Sequence, residues 1–482
     1  MARSPTIDTD EIATILEARL TGRPRSIGLV LGVVDASGVR VVCRGGAGRP
    51  DGQPLSGDTL FEIGSTTKAF TGLLLADMAE RGEVALDDPV ERFLPAEVRL
   101  AQPDGSPITL EALATHTAGL PHDADNYAAR DRANPFADYT VPRFYAFLRR
   151  WRPNDGAAGV HRYSNVGMGL LGHALARRAG IDFETLIRIR ITAPLGMPST
   201  VVTLSPPLAA RFAGGHDFDG RPTVHTDVPV IEGAGALRST ADDLLRFLAA
   251  ELGLAATPLA GAMAAQLAAR RPTGRADFQF QALGWCVSTD PGGEVAWHTG
   301  RTTGFRAFLG FDRGRGVGVA VLGNQATASA GEDIGFHLLT GRPIAPAAAR
   351  HTVEIAPEAL RACEGRYRLS ASVEIVVKAA DGRLIFRTGE RRHVLYPESG
   401  ATFFMKEFDV QARFALDANG CAAALVLTER PRTPRAADRR LGFRRCGGRQ
   451  PARASAGKRQ ATRRTLASTR ADSWCAHRVR PG

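Results

Sequence analysis

The stretch FEIGSTTKAFTGLLLADMAERG, residues 61–82, places a lysine three positions after a serine at the start of an apolar segment. Apolar residues recur at helical spacing and Gly82 stands where helices commonly end, so the sequence predicts a helix over 65–81. One helical turn brings the side chains of Ser65 and Lys68 to the same face. A serine hydroxyl needs a base to take its proton, and a lysine with a lowered pKa can be that base. Ser65 is therefore a candidate nucleophile, and its own N–H, at a helix N-terminus, can donate to a developing oxyanion. Taken alone, the motif is also compatible with a serine that caps the helix and an exposed lysine.

A second polar motif is Tyr163-Ser164-Asn165, in a chain that has only 6 tyrosines. A phenol beside a lysine can share its proton, acting as general base on Ser65 and then as general acid to the leaving group. The amide of Asn165 can hold Lys68 and a substrate carbonyl together. Taken alone, the motif is equally compatible with a polar turn that precedes a helix.

A third motif, His298-Thr299-Gly300, ends the apolar run at 295–297. At the edge of a sheet such a segment can align a substrate backbone by strand addition. Thr299 can then bind a substrate carboxylate or carbonyl, the small Gly300 permits close approach, and the N–H of Arg301 can complete an oxyanion hole. A strand followed by an ordinary loop is the alternative interpretation.

In the order Ser-x-x-Lys, Tyr-x-Asn and His-Thr-Gly, the three motifs resemble those of class C β-lactamases and related D-Ala-D-Ala carboxypeptidases and esterases, which are penicillin-binding-protein-like serine hydrolases. The segments at 113–121, 234–240 and 304–324 resemble the same family. The resemblance covers roughly residues 26–340.

The resemblance implies an α/β (α+β) serine β-lactamase-like fold, in which an antiparallel sheet is flanked by helices and joined by a helical lobe. It implies acylation and deacylation of Ser65 on a peptide, ester or β-lactam carbonyl, with no metal and no cofactor. It leaves open whether Lys68 or the Tyr163 phenolate is the acylation base. The site residues that it implies are catalytic Ser65, Lys68 and Tyr163, and substrate-binding Asn165, His298, Thr299, Gly300 and Arg301.

One residue departs from the β-lactamase pattern, because His298 stands where a lysine helps to hold a substrate carboxylate. A neutral imidazole is a weaker partner for an anion than an ammonium, so the histidine favours the carboxypeptidase and esterase members. Arg301 or Arg306 are candidates for the missing charge. A catalytically silent ligand-binding member of the same fold is the alternative function.

The pattern of apolar runs predicts a domain organisation with two structural parts. Residues 1–340 form the hydrolase domain, with a hairpin at 26–43, clear helices at 168–190 and 240–253, and three strands between 294 and 322 in the same sheet. Residues 341–357, rich in proline and alanine, read as a linker. Hairpins around Asp381-Gly382 and Asn419-Gly420 predict a small all-β, barrel-like C-terminal domain at 358–441.

Charge is concentrated at one end of the chain. The net charge is +11, of which residues 441–482 contribute +10 from eleven basic residues and Asp472. We expect a disordered basic tail at 442–482 without a specific nucleic-acid partner. The 6 cysteines have no zinc-site spacing.

Neither a signal peptide nor a transmembrane segment is evident in the sequence, which predicts a cytoplasmic protein as written, or a periplasmic or secreted one if the start is misplaced. The expected partner is a small-molecule or short-peptide substrate, and the sequence does not define an oligomeric state.

Overall fold

A computed structural model describes residues 8–446 except 101, 103, 132, 154–157, 291, 328–330, 345–349, 370–373, 389–390 and 430–438. The chain divides into two compact units, residues 1–346 and 347–482. Residues 442–445 of the predicted tail belong to the last strand of the second unit, Arg439–Arg445, so the β domain continues past the predicted boundary at 441. The rest of the predicted tail, beyond 446, lies outside the described residues. None of the helices in the described part combines the length and hydropathy that a bilayer-spanning segment needs.

The first unit is built on an eight-stranded antiparallel sheet in the order β2-β1-β10-β9-β8-β7-β6-β5, and β3 pairs with β4 in a separate two-stranded ladder. Pairing of β1 with β10 confirms that the N-terminal hairpin and the later strands share one sheet. The strands are β1 Gly28–Asp35, β2 Gly38–Gly45, β3 Phe61–Glu62, β4 Arg238–Ser239, β5 Arg270–Pro272, β6 Phe280–Ala282, β7 Cys286–Asp290, β8 Gly293–Arg301, β9 Arg306–Asp312 and β10 Val317–Gly323.

Helices cover both faces of this sheet and form a second lobe. The helices of the first unit are α1 Thr9–Leu20, α2 Thr67–Glu80, α3 Leu110–Ala114, α4 Val141–Arg150, α5 Asn165–Ala179, α6 Phe183–Ile187, α7 Pro206–Ala209, α8 Glu232–Gly235, α9 Ala241–Glu251, α10 Ala260–Ala268 and α11 Glu332–Thr340. Short 3-10 or π segments occur at Gly64–Thr66, Val90–Phe93 and Arg188–Thr192.

The predicted continuous helix over 168–190 is wrong. Helix α5 ends at Ala179 because Gly180 adopts a left-handed conformation with φ 72°. Asp182 then caps the separate helix α6, its side chain accepting from the N–H of Thr185. Gly180 thus ends one helix and Asp182 begins the next almost immediately. The periodicity of apolar residues continues across this break and does not reveal it.

Alternation along the central strands explains why the sheet is covered on both faces. Leu29, Leu31 and Val33 of β1 pack in the core cluster that contains residues of α1 and α11. Val30 and Val34 join the larger cluster that contains α2 and α9. Successive side chains of a strand point to opposite faces, so a nearly continuous apolar strand marks a sheet buried on both sides.

Helix α2 lies within the protein interior rather than on its surface. Every residue from Thr67 to Met78 is buried, so the apolar stripe read from the sequence is a helix packed on all sides. Gly82, with φ 69°, follows its end as expected for a C-terminal glycine. The position of Lys68 at the start of this helix places a charged side chain inside the core.

The second unit is a closed eight-stranded antiparallel barrel preceded by helix α12 Pro357–Ala362. Asp381 and Gly382 both have positive φ, 50° and 71°, and form the tight turn predicted between two strands. The strands are β11 Gly365–Arg368, β12 Glu374–Ala380, β13 Arg383–Thr388, β14 Arg391–Pro397, β15 Thr402–Phe404, β16 Val410–Leu416, β17 Ala422–Glu429 and β18 Arg439–Arg445.

Candidate active site

The turn that carries Ser65 is held against strand β8. Ser65 lies in the 3-10 turn Gly64–Thr66 that leads into α2, and its side chain is half-buried. Gly64 has φ 48°, and a Cβ added there would lie 2.7 Å from the backbone nitrogen of Arg301. The positive φ and the close approach both require glycine at position 64. Because Gly64 has no side chain, the backbone N–H of Arg301 can lie next to the turn that carries Ser65.

Lys68 joins three parts of the chain through its ammonium group. Its Nζ donates to Ser65 Oγ at 2.9 Å, to Asn165 Oδ1 at 2.9 Å and to the carbonyl oxygen of Ala234 at 2.7 Å. A lysine has three donors, and each finds an acceptor here. The structure thus brings together Ser65 and Lys68, which are three residues apart, and Asn165, which the family resemblance alone placed beside them.

Burial makes Lys68 available as a free amine near neutral pH, where an exposed lysine is almost entirely protonated. Complete burial lowers its pKa from 10.5 to about 7, while the negative charge of Asp123 acts in the opposite direction and raises it. Desolvation disfavours the charged ammonium more than nearby charge restores it. The free amine is therefore accessible at the pH where a general base must operate.

Tyr163 stands between Lys68 and a set of imidazoles. Lys68 Nζ lies 4.8 Å from the centroid of the tyrosine ring. The same ring lies 4.5 Å from that of His116, 5.6 Å from that of His122 and 6.1 Å from that of His298. The phenol ring is therefore enclosed by groups from three separate segments of the chain, beside the amine that contacts Ser65.

A local hydrogen-bond pattern fixes the Tyr163 segment. Ser164 caps helix α5, its Oγ accepting from the N–H of Gly167 at 2.8 Å. The N–H of Ser164 donates to Nδ1 of buried His116 at 3.2 Å. His116 adopts φ 58°, and burial keeps its pKa well below the ordinary value, so this imidazole is a neutral acceptor. The 113–121 segment thus shapes the site.

Strand β8 presents the third motif beside the nucleophile. His298 is buried with its Nδ1 2.8 Å from the carbonyl oxygen of Thr299, whose residue is half-buried, and Arg301 is exposed. A Cβ on Gly300 would lie 1.8 Å from the carbonyl oxygen of Ile63. Gly300 is therefore the residue that lets β8 cross the turn of Ser65 at backbone contact.

We expect Gly300→Ala to lower kcat/KM by about 100-fold, because β8 must move away from the Ser65 turn and displacements near 1 Å have such effects. Steady-state kinetics and thermal unfolding of the variant measure this. Gly442→Ala is the control, since its Cβ would meet open space among the described residues. Kinetics unchanged in Gly300→Ala would show that the contact of β8 with the turn is unimportant.

Sequence reasoning missed two members of the site. Asp123 accepts from Asn165 Nδ2 at 3.0 Å and contacts Nδ1 of His122 at 2.7 Å, and the Ala234 carbonyl oxygen accepts from Lys68. Asp123 stands two residues after the Gly-Leu-Pro turn, which was the available signal. The contact of Ala234 is made by its backbone carbonyl oxygen, which every residue type has, so the sequence could not indicate it.

In many serine hydrolases an imidazole is the base beside the nucleophilic serine, whereas a lysine one helical turn after the serine is the arrangement of the Ser-x-x-Lys acyl hydrolases. Comparison with known proteins specifies the family. A sequence profile named Beta-lactamase matches residues 14–342, and the chain belongs to that family. This establishes the predicted class of enzyme, a serine acyl hydrolase.

Individual relatives are distant but consistent. A β-lactamase of Yersinia enterocolitica is 26% identical over 308 residues, which cover 57% of this chain and 76% of the relative. The D-alanyl-D-alanine-carboxypeptidase/endopeptidase AmpH of Escherichia coli (strain K12) is 31% identical over 191 residues, covering 40% of this chain and 48% of AmpH.

A solved structure confirms the predicted serine β-lactamase fold. The class C β-lactamase from Rhodobacter sphaeroides superposes with a TM-score of 0.57 at 30% identity, covering 66% of this chain and 94% of that one.

Proposed function

We propose that this enzyme hydrolyses a D-alanyl peptide or a carboxylic ester through an acyl-enzyme on Ser65, and acts on β-lactams less efficiently. The observation that carries the acyl-enzyme step is the hydrogen bond of 2.9 Å between Lys68 Nζ and Ser65 Oγ. The similarity to a D-alanyl-D-alanine-carboxypeptidase/endopeptidase supports a D-alanyl peptide as substrate. His298 supports the ranking, since an imidazole is a weaker carboxylate partner than a lysine at the same place.

Acylation follows from the placement of the proton acceptors. Ser65 Oγ attacks the substrate carbonyl carbon while its proton passes to the free amine of Lys68 or to the Tyr163 phenolate. The carbonyl oxygen becomes an oxyanion that receives hydrogen bonds from the N–H groups of Ser65 and Arg301. The proton is then delivered to the leaving amine or alkoxide, the carbon–leaving-group bond breaks, and the acyl ester of Ser65 remains.

Deacylation repeats these steps with water as the nucleophile. A water molecule attacks the ester carbon and gives its proton to the same amine–phenol pair. The pair then returns the proton to Ser65 Oγ as the acyl–oxygen bond breaks. Asn165 keeps the lysine in place throughout, because its Oδ1 accepts from Nζ at 2.9 Å.

A substrate panel tests the proposal. Purified full-length protein is assayed with p-nitrophenyl esters, a D-Ala-D-Ala peptide and nitrocefin, and kcat/KM is compared. We expect an ester or the peptide to exceed nitrocefin by about tenfold or more, which corresponds to about 1.4 kcal/mol of transition-state stabilisation. Nitrocefin as the best substrate would overturn the ranking, and turnover of none would overturn the proposed substrate classes.

The pH profile provides a further prediction. Burial lowers the pKa of Lys68 to about 7, and only the free amine accepts the proton of Ser65. On the acid side, kcat/KM should therefore rise with pH, with its midpoint near about pH 7, and it should fall tenfold per unit well below it. A profile that is flat between about pH 5 and 9 would exclude Lys68 as the titrating base.

A further inference from the structure

The carboxylate of Asp123 connects two groups that line the site. One oxygen, Oδ1, accepts from Asn165 Nδ2 at 3.0 Å. The other, Oδ2, lies 2.7 Å from Nδ1 of His122. His122 in turn lies with its ring centroid 5.6 Å from that of Tyr163. A single side chain thus reaches both the amide that holds Lys68 and an imidazole beside the phenol.

The chemistry of the amide makes the Asp123 contact decisive for the lysine. An asparagine side chain has an acceptor oxygen and a donor NH₂, and either can face a neighbour. Lys68 has only donors when charged, so it needs Oδ1 of Asn165, as observed at 2.9 Å. An ionised carboxylate has only acceptors, so it needs the NH₂. Asp123 therefore selects the amide orientation that serves Lys68. In the flipped orientation the NH₂ of Asn165 would face the ammonium of Lys68, and its Oδ1 would face the carboxylate of Asp123.

We propose that Asp123 is a positioning residue, whose carboxylate locks the Asn165 amide toward Lys68 and couples His122 to the same hydrogen-bonded network. This inference rests on the proposed function, because it explains how the amine of Lys68 is held in place to take the proton of Ser65. Asp123 acts through Asn165 and need not touch substrate.

The groups around Lys68 determine what a change at Asp123 does to its titration. Asp123 and Cys286 raise the pKa of Lys68, although burial has the larger, opposite effect. Four histidines from segments other than that of Lys68 also lie around the site. Burial lowers the pKa of His116 and lowers the pKa of His161 to about 4. The rings of His122 and His298 flank the ring of Tyr163. Removing the charge of Asp123 should therefore lower the pKa of Lys68 further and make the free amine available at lower pH.

Two variants separate positioning from charge. In Asp123→Ala the Asn165 amide loses its orienting partner, and we expect kcat to fall by about 100-fold with a smaller change in KM. In Asp123→Asn the new amide can still accept from Asn165 but carries no charge. We expect this variant to retain more activity, with the acid limb of its kcat/KM profile moved to lower pH than in the wild type.

The control is Asp125→Asn, which makes the same substitution two residues away. Asp125 is exposed and contacts Arg150 at 3.2 Å, so its profile should match the wild type. Thermal unfolding of all variants shows whether they fold. A merely structural role of Asp123 would lower the rate without moving the acid limb.

Several outcomes overturn the inference. These are an Asp123→Ala variant within about twofold of the wild type, an acid limb that does not move in Asp123→Asn, or an effect on KM alone, which would indicate direct substrate contact. A wild type inactive toward every substrate of the panel is a different result, because it contradicts the proposed function. An active wild type with superimposable variant profiles contradicts only the role of Asp123.

Discussion

Ser65→Ala should abolish covalent labelling by an acylating or phosphonylating probe and lower kcat by a factor on the order of 10⁴–10⁶. The reason is that Ser65 Oγ is the atom that forms the acyl bond, and the methyl group of alanine offers no nucleophile in its place. The residual rate reflects the oxyanion donors and substrate binding, which the substitution leaves intact. The measurement is labelling by a fluorescent phosphonate or penicillin, followed on a gel, with ester hydrolysis in parallel.

Ser205→Ala is the matched control for this experiment, because Ser205 is exposed and precedes the short helix α7. It should label and turn over like the wild type. Labelling of Ser65→Ala at the wild-type rate would place the nucleophile elsewhere. Absence of labelling and turnover in the folded wild type would instead favour the silent ligand-binding alternative.

The parts of the fold that the sequence predicts are those in which local chemistry and tertiary structure agree. Asp381-Gly382 forms the expected turn because its positive φ angles suit these two residue types in any context. The strands near β8 to β10 are predicted because a short apolar run between glycines has few alternatives. Helix α5 is mispredicted beyond Ala179, since the apolar periodicity continues across the break at Gly180.

The site shows the same division. Ser65 and Lys68 are predictable because a spacing of three within a helix fixes their geometry. The meeting of Lys68 with Asn165, 97 residues further along the chain, follows only from tertiary packing, and the motif order predicts it solely through the family resemblance. Asp123 has no spacing rule at all, and a lone carboxylate after a turn is typical of ordinary surface loops.

The lowered pKa of Lys68 is also a property of the folded chain. The residues next to it, Thr67 and Ala69, do not indicate burial of a charge. Complete enclosure arises because α2 is surrounded by other elements on every side, with every residue from Thr67 to Met78 buried. Desolvation, the largest cause of the shift, is therefore invisible in the sequence.

Tyr163→Phe should lower kcat by about 10²–10⁴-fold, the range in which a lost general acid–base group acts. Phenylalanine keeps the ring, so the contacts with His116, His122 and His298 are preserved and the phenol O–H alone is lost. Lys68→Ala should cause a loss in the same range, because the amine and the phenol serve one proton transfer. Both are measured by single-turnover acylation of the folded variants.

The double variant distinguishes a shared proton path from two independent contributions. Independent contributions would multiply, so losses of about 10²–10⁴ each would give about 10⁴–10⁸ together. Groups that act as a unit do not multiply, and the double variant should then resemble the worse single variant. The Lys68 amine lies 4.8 Å from the Tyr163 ring centroid and 2.9 Å from Ser65 Oγ. These short distances favour a single proton path shared by Lys68 and Tyr163. Near wild-type activity in Tyr163→Phe would remove the phenol from the proton path and leave Lys68 as the base for both half-reactions.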